Sequence, residues 1–392
     1  MVQAVRCAIR GVSPTSPSPL RGRVGEGVET PTLERQLFPT LDEMLAPESL
    51  SRLIGRAVRN VRREPFHSVD GLSGGKMWRV LVGEGDGEPY ILKRISYADD
   101  WVMRVSEDHD CRAILSWQTG LLDRLPPDVV HEALACARDG DGWAILLRDV
   151  GSALIPPGDD HVSIADNERL MDGMAALNAT FWGEPDAADP NLGFLSLRQR
   201  YRIFSDEKIR PEASGADAIP PVVVAGWDLV PELVERDVAD LLLRLRASPD
   251  PLADALGRYP QTVIHGDWKM GNLGIHDEPA RRVILLDWAI VGPGTPGVEL
   301  AWYLSVNCAR LPVSKEATIE RYRESLARRL GSRFDEAWWR PQLELGLLGG
   351  FLLLVWPKTY NAVHADDPAQ RAREQDELTW WSARAREGAK WL

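Results

Sequence analysis

The chain has 392 residues, 44% of them hydrophobic, which excludes a disordered chain and suits one or two domains with sizeable cores. Its 58 Asp and Glu against 46 Lys and Arg give a net charge of −12, the wrong sign for a protein that grips a nucleic-acid backbone. Four widely spaced cysteines (Cys7, Cys111, Cys136, Cys308) form no CxxC pair, so neither a zinc ribbon nor a redox dithiol is indicated, and a reducing, cytoplasmic setting is expected.

Residues 1–35 are rich in Pro, Ser, Gly and Arg with almost no apolar periodicity, and a disordered tail is expected there. LDEMLAPESLSRLIG then spaces Leu41, Met44, Leu45, Leu50, Leu53 and Ile54 as a helix does. Two β-rich runs follow, at 79–82 (RVLV) and 90–95 (YILKRI), parted by the turn-like GEGDGEP. A helical stretch over 107–122 and a third strand over 143–147 (WAILL) complete a small lobe covering residues 36–150. Beyond it, MDGMAALNATFWG aligns Met171, Met174, Leu177 and Phe181 on one helix face, and VPELVERDVADLLLRL repeats that period. Strands at 262–264 and 283–286 interrupt the helices. The longest apolar run, 345–356, is shorter than the roughly 18 residues of a membrane span, so a buried helix and no membrane association are expected. Residues 151–392 thus form a larger helical lobe, with the cleft between the lobes as the expected ligand site.

The densest polar cluster is VIHGDWKMGNLGI, with His265, Asp267, Lys269 and Asn272 close together, and Asp287 ends the strand that follows. Hard oxygen donors such as Asn272 and Asp287 suit Mg²⁺, which takes few protein ligands and completes its shell with phosphates and water. A carboxylate ending an apolar strand also needs a partner for its charge. His265 is read as shaping the loop. A metal-dependent hydrolase built on His265 and Asp267 would need a second histidine cluster, and none is present. In the small lobe, Ser73, Gly74 and Gly75 are small residues between strands, where backbone N–H groups approach a phosphate. Lys93, within the apolar strand YILKRI, needs an anionic partner, whereas Arg94 faces the opposite side by strand alternation. The 15 tryptophans read mainly as packing residues, Trp302, Trp338 and Trp339 included.

HGDWKMGN with its downstream Asp287 resembles the catalytic motifs of the aminoglycoside phosphotransferase and choline kinase-like superfamily, HGDxxxxN followed by a strand and an aspartate. The resemblance implies an α+β, bilobal, protein-kinase-like fold: a small N-terminal nucleotide-binding lobe with an antiparallel sheet, and a larger, mainly helical C-terminal lobe for catalysis and substrate. It implies an ATP- and Mg²⁺-dependent phosphotransferase acting on a hydroxyl group of an aminoglycoside-, choline- or sugar-like small molecule. Asp267 would be the base and Lys269 would touch the transferred phosphoryl group. Asn272 and Asp287 would hold Mg²⁺. Ser73, Gly74 and Gly75 would approach the phosphates, as would Lys93, with Glu107 preferred over Asp110 as the acidic residue paired to that lysine. WAILLRDVG resembles the family's LLxEDLG hinge, which sets Leu147, Arg148 and Asp149 beside the adenine, although Arg148 replaces the commoner acidic residue. MAALNATFWG is similar to LAxLHAxFW with Asn178 in place of histidine, and GVELA to xxDLA with Glu299 as a brace for the loop. The alternative reading is a nucleotide-binding pseudokinase acting as a scaffold or sensor, against which the intact Asp, Asn, Asp and Lys set speaks.

Overall fold

The computed structural model describes residues 35–67, 74–84, 87–184, 192–276 and 281–392; nearly all of the expected tail and Ser73 lie outside the described residues. Helix α1 (Leu41–Leu45) begins where the Thr40 hydroxyl accepts the Glu43 N–H at 3.1 Å, and α2 (Pro47–Ile54) begins on a proline whose missing N–H costs nothing there. The chain then forms β1 (Val61–Phe66), β2 (Lys76–Val82) and β3 (Glu88–Ile95). After α3 (Trp101–Val105) and α4 (Arg112–Gln118) come β4 (Val129–Val130), β5 (Ala133–Asp139) and β6 (Gly142–Arg148). Five of these strands make an antiparallel sheet of order β1-β2-β3-β6-β5.

Strand alternation gives that sheet two different faces. Tyr90 and Leu92 of β3 pack with Met44, Leu50, Val80, Ala144 and Leu146 into a core under α1 and α2. Ile91 and Lys93 point the other way, and Lys93 sits opposite Met77 on one neighbouring strand and Ile145 on the other. Arg94 faces away from Lys93 and binds Asp99, Asp139 and Asp141.

The single helix expected over 107–122 is instead broken. Glu107 and Cys111 adopt left-handed backbone angles (φ 55° and 60°), and both carboxylate oxygens of Asp108 accept the Arg112 N–H at 2.9 and 3.0 Å. A short acidic side chain that takes the first N–H of the next turn competes with helix continuation, and α4 begins only at Arg112.

The larger lobe contains α5 (Ile164–Thr180), α6 (Leu197–Arg202), α7 (Asp206–Glu212), α8 (Ile219–Asp228), α9 (Val230–Leu233), α10 (Arg236–Ala247) and α11 (Asp250–Leu256). Four short strands follow, β7 (Thr262–Ile264), β8 (Leu273–Ile275), β9 (Val283–Leu285) and β10 (Gly292–Gly294). The two strands flanking the polar motif do not pair with each other: β7 pairs with β10, while β9 lies between β4 and β8. The chain closes with α12 (Pro296–Val306), α13 (Lys315–Leu330), α14 (Glu336–His364) and α15 (Pro368–Ala389). Among the described residues no helix is long and apolar enough to cross a membrane.

Two features of α14 shape the cleft. It crosses α12 at a glycine contact, where a Cβ on Gly346 would lie 2.4 Å from the Gly297 carbonyl carbon. Further along, Pro357 offers no N–H to the Leu353 carbonyl and its ring crowds that carbonyl, so the backbone leaves helical angles at Leu354 (φ −127°, ψ 23°). Gly346→Val should therefore push α12 off α14 and lower the unfolding free energy by at least about 1–3 kcal/mol, read by chemical denaturation; unchanged stability would mean the crossing is loose.

Candidate active site

Strand β7 delivers the chain into a loop whose backbone is held from α12 at both ends. The Glu299 carboxylate accepts the His265 N–H at 3.0 Å and the Gly266 N–H at 2.7 Å. Asn307, past the end of α12, accepts the Met270 N–H at 2.9 Å and donates to the Trp268 carbonyl at 3.1 Å. Gly266 has φ 84°, and a Cβ there would stand 2.3 Å from Arg200 Nη1 and 2.6 Å from the Ile290 carbonyl oxygen, so the bend requires glycine. Asn178, standing where a histidine was the commoner residue, donates to the Val263 carbonyl at 3.1 Å and steadies β7.

His265 is fully buried, edge-on to Trp288 with ring centroids 4.8 Å apart, and its Nδ1 accepts the Asp267 N–H at 3.2 Å. Burial pushes its pKa down to about 4, so the ring is neutral and structural at neutral pH. Burial raises Glu299 to about 7 even though the Gly266 and His265 N–H groups favour its charged form. Beside it, the buried Arg200 donates to the Ile290 carbonyl at 2.7 Å. Burial lowers that guanidinium to about 10, with Glu299 opposing the shift.

The loop presents Asp267 with each oxygen engaged differently. Trp302 Nε1 donates to Oδ1 at 3.0 Å, while Asn272 Nδ2 lies 2.8 Å and Lys269 Nζ 3.2 Å from Oδ2. Across the cleft, Lys93 Nζ is 3.0 Å from Asp287 Oδ1. Asp287 adopts φ 66°, a strained backbone for aspartate that turns its carboxylate out of the strand line and towards the sheet. Burial alone would lower both lysines, but Asp287 and then Asp100 raise Lys93, and Asp267 and then Asp287 raise Lys269. Burial likewise opposes ionisation of Asp287, and the two ammonium groups outweigh it and lower its pKa. All three groups are charged at neutral pH.

A cleft of about 280 Å³ joins these groups. Leu147, Arg148 and Asp149 border its sheet side, as does Gly75, where a Cβ would lie 3.3 Å from Lys93 Cε. Gly74 takes φ 96° against the Asp99 carbonyl. The expected pairing of Glu107 with Lys93 is not found. The break before α4 turns Glu107 out to Lys208 (an ion pair), and Asp287 and Asp100 supply the negative charge at Lys93. Asp100 caps α3, accepting the Val102 and Met103 N–H groups at 2.8 and 3.2 Å, and an Asp just ahead of an apolar helix was the available signal for it. Trp302 was read as packing, yet it lies three residues after Glu299 on α12 and so shares its face. Glu132, lining the cleft beside Arg148 and His276, carried no sequence signal at all.

Two oxygens here fit a hard divalent cation. Asp287 Oδ1 is buried, and its ion pair with Lys93 is off hydrogen-bond angle, so no donor satisfies it; the Asn272 nitrogen is committed to Asp267, which leaves its carbonyl oxygen.

A model of the Phosphotransferase enzyme family (APH) matches residues 72–341, more than half of the chain. No curated protein matches. Among solved structures, choline kinase from Cryptosporidium parvum is 9% identical with a TM-score of 0.50, covering 84% of this chain and 91% of its own. A microcompartment-associated aminopropanol kinase is 16% identical (TM-score 0.47, 84% and 93% covered). An aminoglycoside phosphotransferase from Streptomyces rimosus, solved with ADP and streptomycin, is 15% identical (TM-score 0.43, 74% and 94% covered). At these identities the likeness to choline kinase is one of fold, which is the bilobal α+β fold expected from the sequence.

The buried histidine predicts a pH dependence. Its folded pKa lies below the ordinary 6.5, so its contribution to stability is complete above pH 6.5 and is lost as pH falls towards 4, by about 3 kcal/mol. Glu299 acts with the opposite sign, its contribution being complete below pH 4.5 and lost as pH rises to 7. The stability gap between the parent and His265→Asn should thus shrink by about 3 kcal/mol from pH 6.5 to 4 in denaturant titrations. A gap independent of pH would show that the imidazole is protonated as easily in the fold as outside it.

Proposed function

The chain belongs to the phosphotransferase enzyme family, and from that premise we propose that it transfers the γ-phosphoryl group of ATP to a hydroxyl group of a small molecule. The observation that carries this reading is the convergence of Asp267, Lys269, Asn272, Asp287 and Lys93 on one cleft, where Lys269 and Asn272 contact Asp267 and Lys93 contacts Asp287. Residues 36–150 act as the nucleotide-binding lobe and 151–392 as the catalytic and substrate-binding lobe.

In the proposed reaction the acceptor hydroxyl gives its proton to the Asp267 carboxylate as its oxygen bonds to the γ-phosphorus. The bond from that phosphorus to the β,γ-bridging oxygen breaks, and ADP leaves. Trp302 and Asn272 hold the carboxylate from two sides, so its position is set before the acceptor arrives. Lys269, kept cationic, faces the transferred phosphoryl group, and Lys93 the remaining phosphates. Asn272 and Asp287 would hold Mg²⁺, which supplies charge neutralisation on the phosphates. The glycines at 74 and 75 leave the backbone room to approach those phosphates, and Ile91, Ile145, Leu147 and Leu285 offer an apolar slot for the base. Cys111, Cys136 and Cys308 are free thiols, as the reducing, ATP-supplied cytoplasm would keep them.

ADP release from purified protein with MgATP and a library of hydroxyl compounds tests the reading. With the acceptor that responds, Asp267→Asn should lower kcat by about 10²–10⁴-fold while nucleotide binding persists. Equal turnover by parent and variant would overturn the assignment of Asp267 as the base.

A further inference from the structure

Lys269 stands on an extended stretch of the loop (φ −102°, ψ 149°) between Trp268 and Met270, both of them buried. In an extended residue its own N–H and C=O point to one edge of the chain, and the preceding carbonyl and following N–H point to the other. The first edge is used within the loop. There the Lys269 N–H donates to the Asp267 carbonyl at 2.8 Å, and the Lys269 carbonyl accepts the Asn272 N–H at 2.9 Å. The second edge meets a side chain from outside the loop: Asn307 Oδ1 accepts the Met270 N–H at 2.9 Å, and Asn307 Nδ2 donates to the Trp268 carbonyl at 3.1 Å.

These two bonds fix more than the place of the loop. Peptide units are rigid planes, so φ and ψ of Lys269 are the angles at which the planes carrying the Trp268 carbonyl and the Met270 N–H meet at its Cα. One amide group therefore sets both soft dihedrals of Lys269, and with them the direction in which its side chain leaves the backbone for the cleft. The ammonium arrives 3.2 Å from Asp267 Oδ2, on a side chain that is 18% exposed. Asn307 is itself fixed. Its Nδ2 also donates to the Tyr303 carbonyl at 3.0 Å, so a flipped amide would set N–H against N–H and its oxygen against two carbonyls. The end of α12 from which Asn307 reaches out is held from α14, where Lys358 Nζ lies 3.4 Å from the Ser305 carbonyl oxygen and 3.0 Å from Glu377 Oε2. Among side chains of this length asparagine alone offers a donor and an acceptor side by side, as a peptide group does.

We propose that Asn307 is a positioning residue for phosphoryl transfer that acts through Lys269: by holding both peptide planes that flank the lysine, it aims the ammonium at the transferred group. This rests on the phosphotransferase reading, in which Lys269 faces that group, and extends it to a side chain outside the motif. Asp267 keeps its own supports from Trp302 and Asn272, so the two roles are separable.

The test measures ADP release from MgATP, with water and with the acceptor that responds in the hydroxyl-compound screen, for the parent, Asn307→Ala, Lys269→Met and the double variant. Asn307→Ala should lower kcat about 10–10²-fold while the KM for MgATP stays within about twofold, the cost of an ammonium displaced by about 1 Å. In the Lys269→Met background the same substitution should change kcat by less than about twofold, because no ammonium is left to aim. Asn307→Ser, whose hydroxyl can bond the Tyr303 carbonyl one turn back but cannot span both loop peptides, runs the same cycle should the alanine variant fail to fold. Equal losses in the two backgrounds would make Asn307 a brace of the loop that does not act through Lys269, and would overturn the proposal. So would an unchanged kcat, or a loss confined to KM. A parent that releases no ADP under either condition would instead defeat the underlying reading.

Discussion

The pair of hydrogen bonds from the His265 and Gly266 backbone to one buried carboxylate, Glu299, is the constraint on which the site depends. A loop that must expose Asp267 cannot satisfy all its own N–H groups, and burying them unpaired would cost about 1–3 kcal/mol each. Glu299 accepts two of them from a helix, and Asn307 accepts a third from beyond the end of that helix. The loop backbone is therefore tied to α12 at both ends. In turn α12 is located by the glycine crossing with α14 and by the side chains packed around it. Trp302 on the same helix reaches Asp267 because Glu299 has already fixed the helix against the loop.

Electrostatics then ties the two lobes together. Lys93 from the sheet meets Asp287 from the larger lobe, and Arg104 of α3 meets Glu212 of α7 with contacts of 2.7 to 3.0 Å, and Asp217 at 3.2 Å. These side chains are all less than a third exposed, so solvent screens them less than a surface pair. The second set holds α3, capped by Asp100, to the end of α7 and the segment that follows it. Two sets of charges thus join the sheet-bearing lobe to the helical one.

Much of this was legible in the residues. The period of the apolar positions marked several of the strands and helices. The resemblance of HGDWKMGN and its downstream Asp287 to a family motif pointed to the loop, and alternation placed Lys93 and Arg94 on opposite faces. What was not legible depended on tertiary context. Asp108, accepting the Arg112 N–H, broke a segment whose apolar spacing read as one helix, and Glu107 meets Lys208 instead of Lys93. Trp302 in GVELAWYL is indistinguishable by composition from a core tryptophan, because its one distinguishing feature is the partner its indole nitrogen finds. The partners of β7 and β9 were equally hidden, since three-residue strands carry too few side chains to specify a neighbour.

The Lys93–Asp287 pair has a consequence for how ligands arrive. A carboxylate and an ammonium 3.0 Å apart in a half-enclosed cleft act as a closed salt. A lone anion that captures Lys93 leaves Asp287 with Lys269 alone, and a lone cation that captures Asp287 leaves Lys93 with Asp100 alone, so each half-exchange leaves a charge less well compensated. A ligand bearing both signs at once replaces the two ions together and leaves neither stranded. Were a cation and a polyphosphate to enter this cleft together, each would offset the charge the other displaces, and by thermodynamic reciprocity each would favour the other's binding.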